Sequence, residues 1–441
     1  MSQLNLFDLP EKQKISNTNL EANQASKNLC TNLFTNQYSI HRWYNFIAGF
    51  SPEFVKFCIK AAHINSEDVV IDPFSGLGTT LVEANLQNVS SIGFEAHPFF
   101  YDISQAKIFP ILDTENIKYL ENLLLSIKPY TGNFQEIWTE DALKFLTKLI
   151  AEDNLTLLAS CLEIENQLDQ ENKSLFRLIV SKVLEQTSLA QTDGIYKAPT
   201  TLKKSISFDD SVSRICKQIY EDVEYLQAQN TFSSQAKLNF CSSENMQSVE
   251  NESCSLCITS PPYLNNFDFA EMTRMELYFW RYAGSWREIT EKVRRRLIVN
   301  TTTAPTDLKR NQDFFSSTLS TRFKLKYLDS IIAELFNERK IRPGKKDYYL
   351  LIYPYFAQMQ NVIRELQRIL RSSSNLHLIV SDAALYGVYI PTHEILSQLM
   401  IDNGFQIINV ENMRKRGERW LLKKRTGANK LGEYHIHAKR I

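Results

Sequence analysis

The chain lacks net charge: 50 lysines and arginines balance 50 aspartates and glutamates. Bulk electrostatics therefore favour no polyanion, and a nucleic-acid partner would have to be met by local clusters of one sign. No run of about 18 apolar residues is present, so no membrane-spanning helix is expected. The opening segment, Met1 to Pro10, lacks the basic-then-apolar order of a secretory signal. Cysteines number seven, an odd count at irregular spacing. A reducing cytoplasm is the expected setting. Cys254 and Cys257 form a lone C-x-x-C, with no second pair at zinc spacing. They fall in a buried-strand pattern and read as core packing, so no metal site is expected.

A chain of 441 residues exceeds one ordinary core and implies a main domain with insertions. Residues 1–35 are rich in Asn, Gln, Ser and Thr and read as a mobile arm. Residues 36–110 carry the first half of an α/β pattern: a helix after Pro52, a strand at Asp68–Asp72, a helix from Thr79 to Leu86 and a strand at Ser91–Phe94. Residues 111–235 read as a helical insertion. Twelve acids against five bases over 111–175 make it an unsuitable face for phosphates. Residues 236–441 resume the α/β pattern. Within them, 264–346 is a candidate recognition insertion, with 14 bases and 5 acids over 292–346. Arg294, Arg295, Arg296, Lys345 and Lys346 are candidate phosphate contacts there. A second basic stretch spans 414–430, with 8 bases and 1 acid.

Asp72-Pro73-Phe74-Ser75-Gly76-Leu77-Gly78-Thr79-Thr80 is the first chemically informative segment. Glycines directly after a strand let the backbone approach a ligand, and the next helix presents free N–H groups. Glu95 ends the following strand, where an acid can hold both hydroxyls of a ribose. A dinucleotide fingerprint would need Gly or Ala at residue 81, which is Leu81. Asp72 also suits a ligand with a cationic amino-acid end better than a pyrophosphate. The second segment is Thr259-Ser260-Pro261-Pro262-Tyr263, after the strand Ser255–Ile258. Two prolines stiffen it and remove two donors, leaving carbonyls that can face a cleft.

The first segment resembles the D-P-F-x-G-x-G-T-T motif of the S-adenosylmethionine-dependent DNA amino-methyltransferases, with Glu83-Ala84 in the helix as in that family. The second resembles their [D/N/S]-P-P-[Y/F] loop. The resemblance implies an α/β, Rossmann-like class I methyltransferase sheet. It implies S-adenosylmethionine bound by Asp72, Phe74, Gly76, Gly78, Thr79 and Glu95. His41-Arg42-Trp43-Tyr44 and Phe50 are similar to the segment packing on the methionine end, which adds Trp43. The family's acid for the adenine amino group falls near Cys241-Ser242-Ser243, so that contact passes to Ser242 or to a backbone group.

The catalytic set implied is Ser260, Pro261, Pro262 and Tyr263. The Ser260 side chain and Pro261 carbonyl would accept the N–H groups of a base amine, and Tyr263 would stack on a base rotated out of duplex DNA. Serine at this place points to cytosine N4, with adenine N6 open. No proline precedes a cysteine, which argues against the covalent route to carbon-5. The implied setting is a restriction–modification system, with double-stranded DNA as substrate, a separately acting endonuclease as a candidate partner and a monomeric enzyme. An RNA base-amino methyltransferase and a non-catalytic DNA-binding relative are the rival readings. Asp382, His393 and Glu394 read as cleft edge and helix start. Glu433, His435 and His437 alternate as on an edge strand with polar outer positions.

Overall fold

The computed structural model describes residues 37–441 except 46–48, 111–112, 194–195, 203–204, 230–231, 233–234, 343, 345 and 416–430. The expected arm over 1–35 lies outside the described residues, as do Lys345 and the basic residues from Arg416 to Lys430.

Helix α1 (Pro52–Ala61) opens on Ser51, whose hydroxyl accepts from the Phe54 amide, with Pro52 in the first helical position. Strand β1 (Val69–Asp72) follows, then α2 (Thr79–Leu86) and β2 (Ser90–Phe94). Val70 and Ile71 are fully buried, as β-branched residues are in a strand covered on both faces. Helix α3 (Pro98–Ile108) leads away from the sheet. Next come α4 (Thr114–Leu125), α5 (Glu140–Leu149), α6 (Glu152–Glu165), α7 (Gln170–Thr187), the hairpin β3 (Ala190–Asp193) and β4 (Tyr196–Leu202), and α8 (Phe208–Gln229). The apolar faces of these helices form one continuous core with α3.

The chain returns to the sheet with β5 (Ala236–Asn239), parallel to β2, and β6 (Cys254–Thr259), parallel to β1 on its other side. Short helical segments precede α9 (Asp329–Ile341) and α10 (Ile352–Ile369). Then follow β7 (Leu370–Ser381), the small hairpin β8 (Ala383–Leu385) and β9 (Val388–Ile390), α11 (Thr392–Asp402), β10 (Phe405–Lys415) and β11 (Gly432–Arg440). The seven-stranded sheet has the order β10-β11-β7-β6-β1-β2-β5. It is the doubly wound α/β sheet expected, with β11 antiparallel to both its neighbours. From β1 the chain first builds outward through β2 and β5, then returns to add β6 and β7. The switch point lies between β1 and β6, where an open α/β sheet forms its crevice.

One expectation is corrected. Glu433, His435 and His437 do not stand on an edge. Strand β11 is paired on both sides, with β7 and β10. Glu433 and His435 are buried. Their alternation reflects a sheet covered by α1, whose Phe54 ring meets His377 and His435 edge-on. Cys254 and Cys257 are buried core residues of β6, as expected.

Candidate active site

The cleft opens at the carboxyl ends of β1, β2, β5 and β6. Asp72 ends β1 and is 1% exposed. Its Oδ1 accepts from the Phe74 amide at 3.0 Å and from Thr259 Oγ1 at 2.7 Å, and its Oδ2 accepts from Thr80 Oγ1 at 2.7 Å. The carboxylate thus ties the turn, the start of α2 and the end of β6 together. The turn itself needs glycine twice: Gly76 has φ 52° and Gly78 φ 79°. A Cβ on Gly76 would meet nothing within 4 Å, whereas one on Gly78 would press on Ile108. Gly76 therefore opens the backbone to the cleft, and Gly78 seats α2 against α3.

Glu95 holds the other side of the turn. Its Oε2 accepts from the Gly76 amide at 2.8 Å and its Oε1 from the His97 amide at 2.7 Å. Phe74, Ser75, Leu77, Thr79, Ala96 and Ser242 complete this end of the cleft. Among the described residues, the Ser242 hydroxyl accepts weakly from the Glu244 amide at 3.4 Å.

The loop after β6 is clasped from three directions. Tyr355 on α10 donates its hydroxyl to the Pro262 carbonyl at 2.9 Å. Asn300 Nδ2 donates to the carbonyls of Tyr263 and Phe267 at 3.2 and 3.1 Å. The Tyr263 hydroxyl donates to Glu433 Oε1 at 2.8 Å and lies 3.4 Å from Ser260 Oγ. Arg414 Nε in turn donates to Glu433 Oε2 at 2.5 Å. Ser260, Pro261, Pro262, Tyr263, Arg414 and Glu433 all line the cleft opened by Asp72 and Glu95.

Burial governs the electrostatics. Desolvation pushes the Asp72 carboxyl up to about 6 against three hydrogen bonds that oppose it. It pushes Glu95 up to about 8, with the Asp72 charge adding to the shift. His97, buried and hydrogen-bonded to Thr273 at 3.0 Å, is held down to about 3. The cleft thus carries two acids whose ionisation burial opposes, so a ligand that stabilises either carboxylate would bind with release of a proton.

A family model described as DNA methylase matches residues 6–106, the segment that holds the glycine turn and Glu95. Along nearly its whole length the chain is similar to the Type II methyltransferase M.BsoBI of Geobacillus stearothermophilus. Identity is 22% over 466 residues, covering 96% of this chain and 87% of that protein. Type II methyltransferase M.AvaI of Nostoc sp. is 24% identical over 395 residues, covering 83% and 79%. M.MvaI of Kocuria varians is 23% identical over 423 residues, covering 90% and 88%. The chain is thus similar to DNA methylases over its first part and to Type II DNA methyltransferases over most of its length.

Asp72, Phe74, Gly76, Thr79, Glu95 and Ser242 line the same cleft as the Ser260–Tyr263 loop. Trp43 does not. It is 1% exposed, and its indole N–H donates to Asp222 on α8 at 2.9 Å, beside Arg42 on the same carboxylate. Its neighbours Tyr44 and Asn45, and Phe50 beyond, line the cleft instead. The 3-10 turn His41–Trp43 points its indole into the helical layer. Glu83, the motif acid in α2, holds this turn through His41 at 2.8 Å.

Arg294 was expected to meet phosphate, but its side chain is buried in an ion pair with Asp268 at 2.7 Å. Arg295 is exposed and bound to Glu291 and Asp307. Arg296 alone of the three lines the cleft, its guanidinium 4.8 Å from the Phe240 ring. The residues not foreseen at the site are His97, Lys107, Asn300, Tyr355 and Glu433. Four of them carry no local motif. Glu433 stood in a visible alternation, but only its pairing shows which way it faces.

Proposed function

We propose that this DNA amino-methyltransferase transfers a methyl group to cytosine N4 within a restriction–modification system, and that the Ser260–Tyr263 loop is where the base amine is held. S-adenosylmethionine, the family's donor, supplies a methyl group activated on a sulfonium. The cleft suits it: Glu95 can take both ribose hydroxyls, and Gly76 leaves room for the sugar edge. In this reading Asp72, Phe74, Gly76, Thr79, Glu95 and Ser242 contact the donor, and Gly78 shapes the turn behind it.

The observation that carries the catalytic assignment is the hydrogen bond from Tyr355 to the Pro262 carbonyl. With the Pro262 carbonyl turned to Tyr355, the Pro261 carbonyl and the Ser260 side chain are the acceptors assigned to the base amine. A base amine has its lone pair delocalised into the ring. Two acceptors on its N–H groups favour a pyramidal nitrogen whose lone pair points at the methyl donor, and the rigid loop fixes the approach. After transfer the nitrogen must lose a proton. Ser260 Oγ, Tyr263 Oη and Glu433 form a chain of polar atoms ending on a carboxylate, which gives that proton a route away from the base. Tyr263 also presents a ring for the flipped base to stack upon.

Ser260 supports cytosine as the target, because the family's adenine enzymes more often carry Asp or Asn there. Double-stranded DNA is the substrate. The enzyme is proposed to act as a monomer, and its endonuclease partner to act separately. Modification-sensitive long-read sequencing of DNA from cells expressing the protein tests the assignment. N4-methylcytosine at one recurrent site is expected. N6-methyladenine there would replace cytosine by the family's other target, and methylation of tRNA alone would overturn the DNA reading.

A further inference from the structure

Lys107 is a buried cation that the proposed mechanism does not use. It sits near the end of α3 with 2% of its surface exposed, and it lines the cleft. Its ammonium makes two long hydrogen bonds, to the His41 carbonyl at 3.5 Å and the Tyr44 carbonyl at 3.4 Å. Among the described residues no carboxylate pairs with it. Burial alone brings it down to about 7, with no anion nearby to offset the loss of water. A buried charge without a partner costs several kcal/mol, on the order expected for an ion removed from water. A leucine or methionine would fill the same volume without that cost, so packing does not account for a lysine.

Its position says what the missing anion is. Glu95 marks the sugar end of the cleft and the Ser260–Tyr263 loop marks the reacting end. Lys107 is bonded to the backbone of the segment from His41 to Tyr44, which continues into the lining residues Asn45, Gly49 and Phe50. This is the wall assigned to the amino-acid end of the donor. That end carries a carboxylate, whereas two acids of the protein beside this segment face other cations and donors: Glu83 meets His41, and Asp222 meets Arg42 and Trp43.

We propose that the Lys107 ammonium binds the carboxylate of the amino-acid end of S-adenosylmethionine. The assignment rests on the cleft being the donor site. It divides recognition of the donor between Glu95 at the sugar and Lys107 at the carboxylate, with backbone carbonyls holding the lysine in line until the ligand arrives.

The test is titration calorimetry with two ligands on two proteins. S-adenosylhomocysteine carries the carboxylate, and its carboxamide does not. On the wild-type protein the carboxamide is expected to bind about tenfold or more weakly, the worth of one charge-assisted hydrogen bond in a dry site. In Lys107→Met the two ligands are expected to bind alike, at the strength of the wild-type carboxamide complex. Equal binding of both ligands by the wild type, or an unchanged ratio in Lys107→Met, overturns the proposal. If the wild type binds neither, it is the donor-site reading that fails. The comparison of ligands on the wild type stands whether or not the variant folds.

Discussion

Thr259 Oγ1 donates to Asp72 Oδ1 at 2.7 Å, joining two residues 187 apart in the chain. One ends the strand before the glycine turn, the other the strand before the Pro-Pro loop. Those strands are neighbours, with Ile71 opposite Cys257. A buried carboxylate therefore sets the spacing between the glycine turn and the Pro-Pro loop. Thr259→Val keeps the shape and removes the donor. It should destabilise the fold by about 1–3 kcal/mol, the usual cost of leaving a buried charged acceptor short of a partner. It should also lower the transfer rate more than donor affinity, and Thr259→Ser should restore both. Denaturant melts and single-turnover assays check this. An unchanged rate in the valine variant would show that the tie is dispensable.

Glu433 makes the second link. Its carboxylate holds the Tyr263 hydroxyl at 2.8 Å and receives Arg414. Glu433→Gln keeps an acceptor for tyrosine but loses the charge for Arg414 and for an outgoing proton. The expected result is a transfer rate lower by a factor on the order of 10², with S-adenosylhomocysteine affinity unchanged. Tyr263→Phe should show part of the same loss, because the ring remains for stacking. A glutamine variant as fast as the wild type would remove Glu433 from the mechanism.

Glu433 also shows where sequence reasoning stops. The turn from Asp72 to Thr80, helix Thr79–Leu86, the strand to Phe94 and Glu95 at its end were legible because each depends on neighbours within about 25 residues. The Pro-Pro loop was legible for the same reason. Glu433 was not. Its strand shows the alternation of a half-exposed edge, and only the insertion of β11 between β7 and β10 turns one face onto the catalytic loop. Lys107 had no signal either, since a lysine near a helix end ordinarily faces water. Trp43 was legible as an aromatic near the cleft, but not its turn toward Asp222. That turn is set by Asp222 on α8, 179 residues away in sequence.

Glu95 predicts a proton balance. Burial raises it from 4.5 to about 8, and Asp72 from 3.8 to about 6. Both are raised above their unfolded values. Their favourable contribution to the free protein is therefore complete below those values, and is lost as pH rises through about 6 and then about 8. Ribose hydroxyls donate best to an ionised carboxylate, and a cationic donor favours the same state. Binding at pH 7 should thus expel a proton from Glu95. Lys107, at about 7, should take up part of one when it meets a carboxylate. Calorimetry in two buffers of different ionisation heat reads the net exchange. Glu95→Gln should remove the release and leave the uptake, so that the variant takes up more protons than the wild type. The same net exchange in both proteins would place the ribose elsewhere.

Ser260→Ala tests the loop directly. The Ser260 hydroxyl touches the Tyr263 hydroxyl only at 3.4 Å, so its loss should disturb the fold little. Transfer should be abolished while S-adenosylhomocysteine still binds, because the donor-side residues are untouched. Full transfer in this variant would sink the assignment of the loop.

The three consecutive arginines separate structure from DNA contact. Arg294 is enclosed with Asp268: its Nε donates to that carboxylate at 3.0 Å and its Nη1 to Thr290 at 2.9 Å. Asp268 also accepts from Thr303 at 2.7 Å, so the pair pins the chain after the catalytic loop to the Thr301–Thr303 turn. Arg294→Met should leave Asp268 buried without its counter-ion and cost about 3–5 kcal/mol. Whatever fraction remains folded should show the wild-type salt dependence on DNA. Arg296 is exposed at the cleft. Arg296→Gln should leave the melting temperature unchanged and weaken DNA binding. The slope of log affinity against log salt should fall by about one, as expected for one lost phosphate contact. The reverse pattern, a stable Arg294→Met with a shallower slope, would return phosphate binding to the buried arginine and contradict the ion pair.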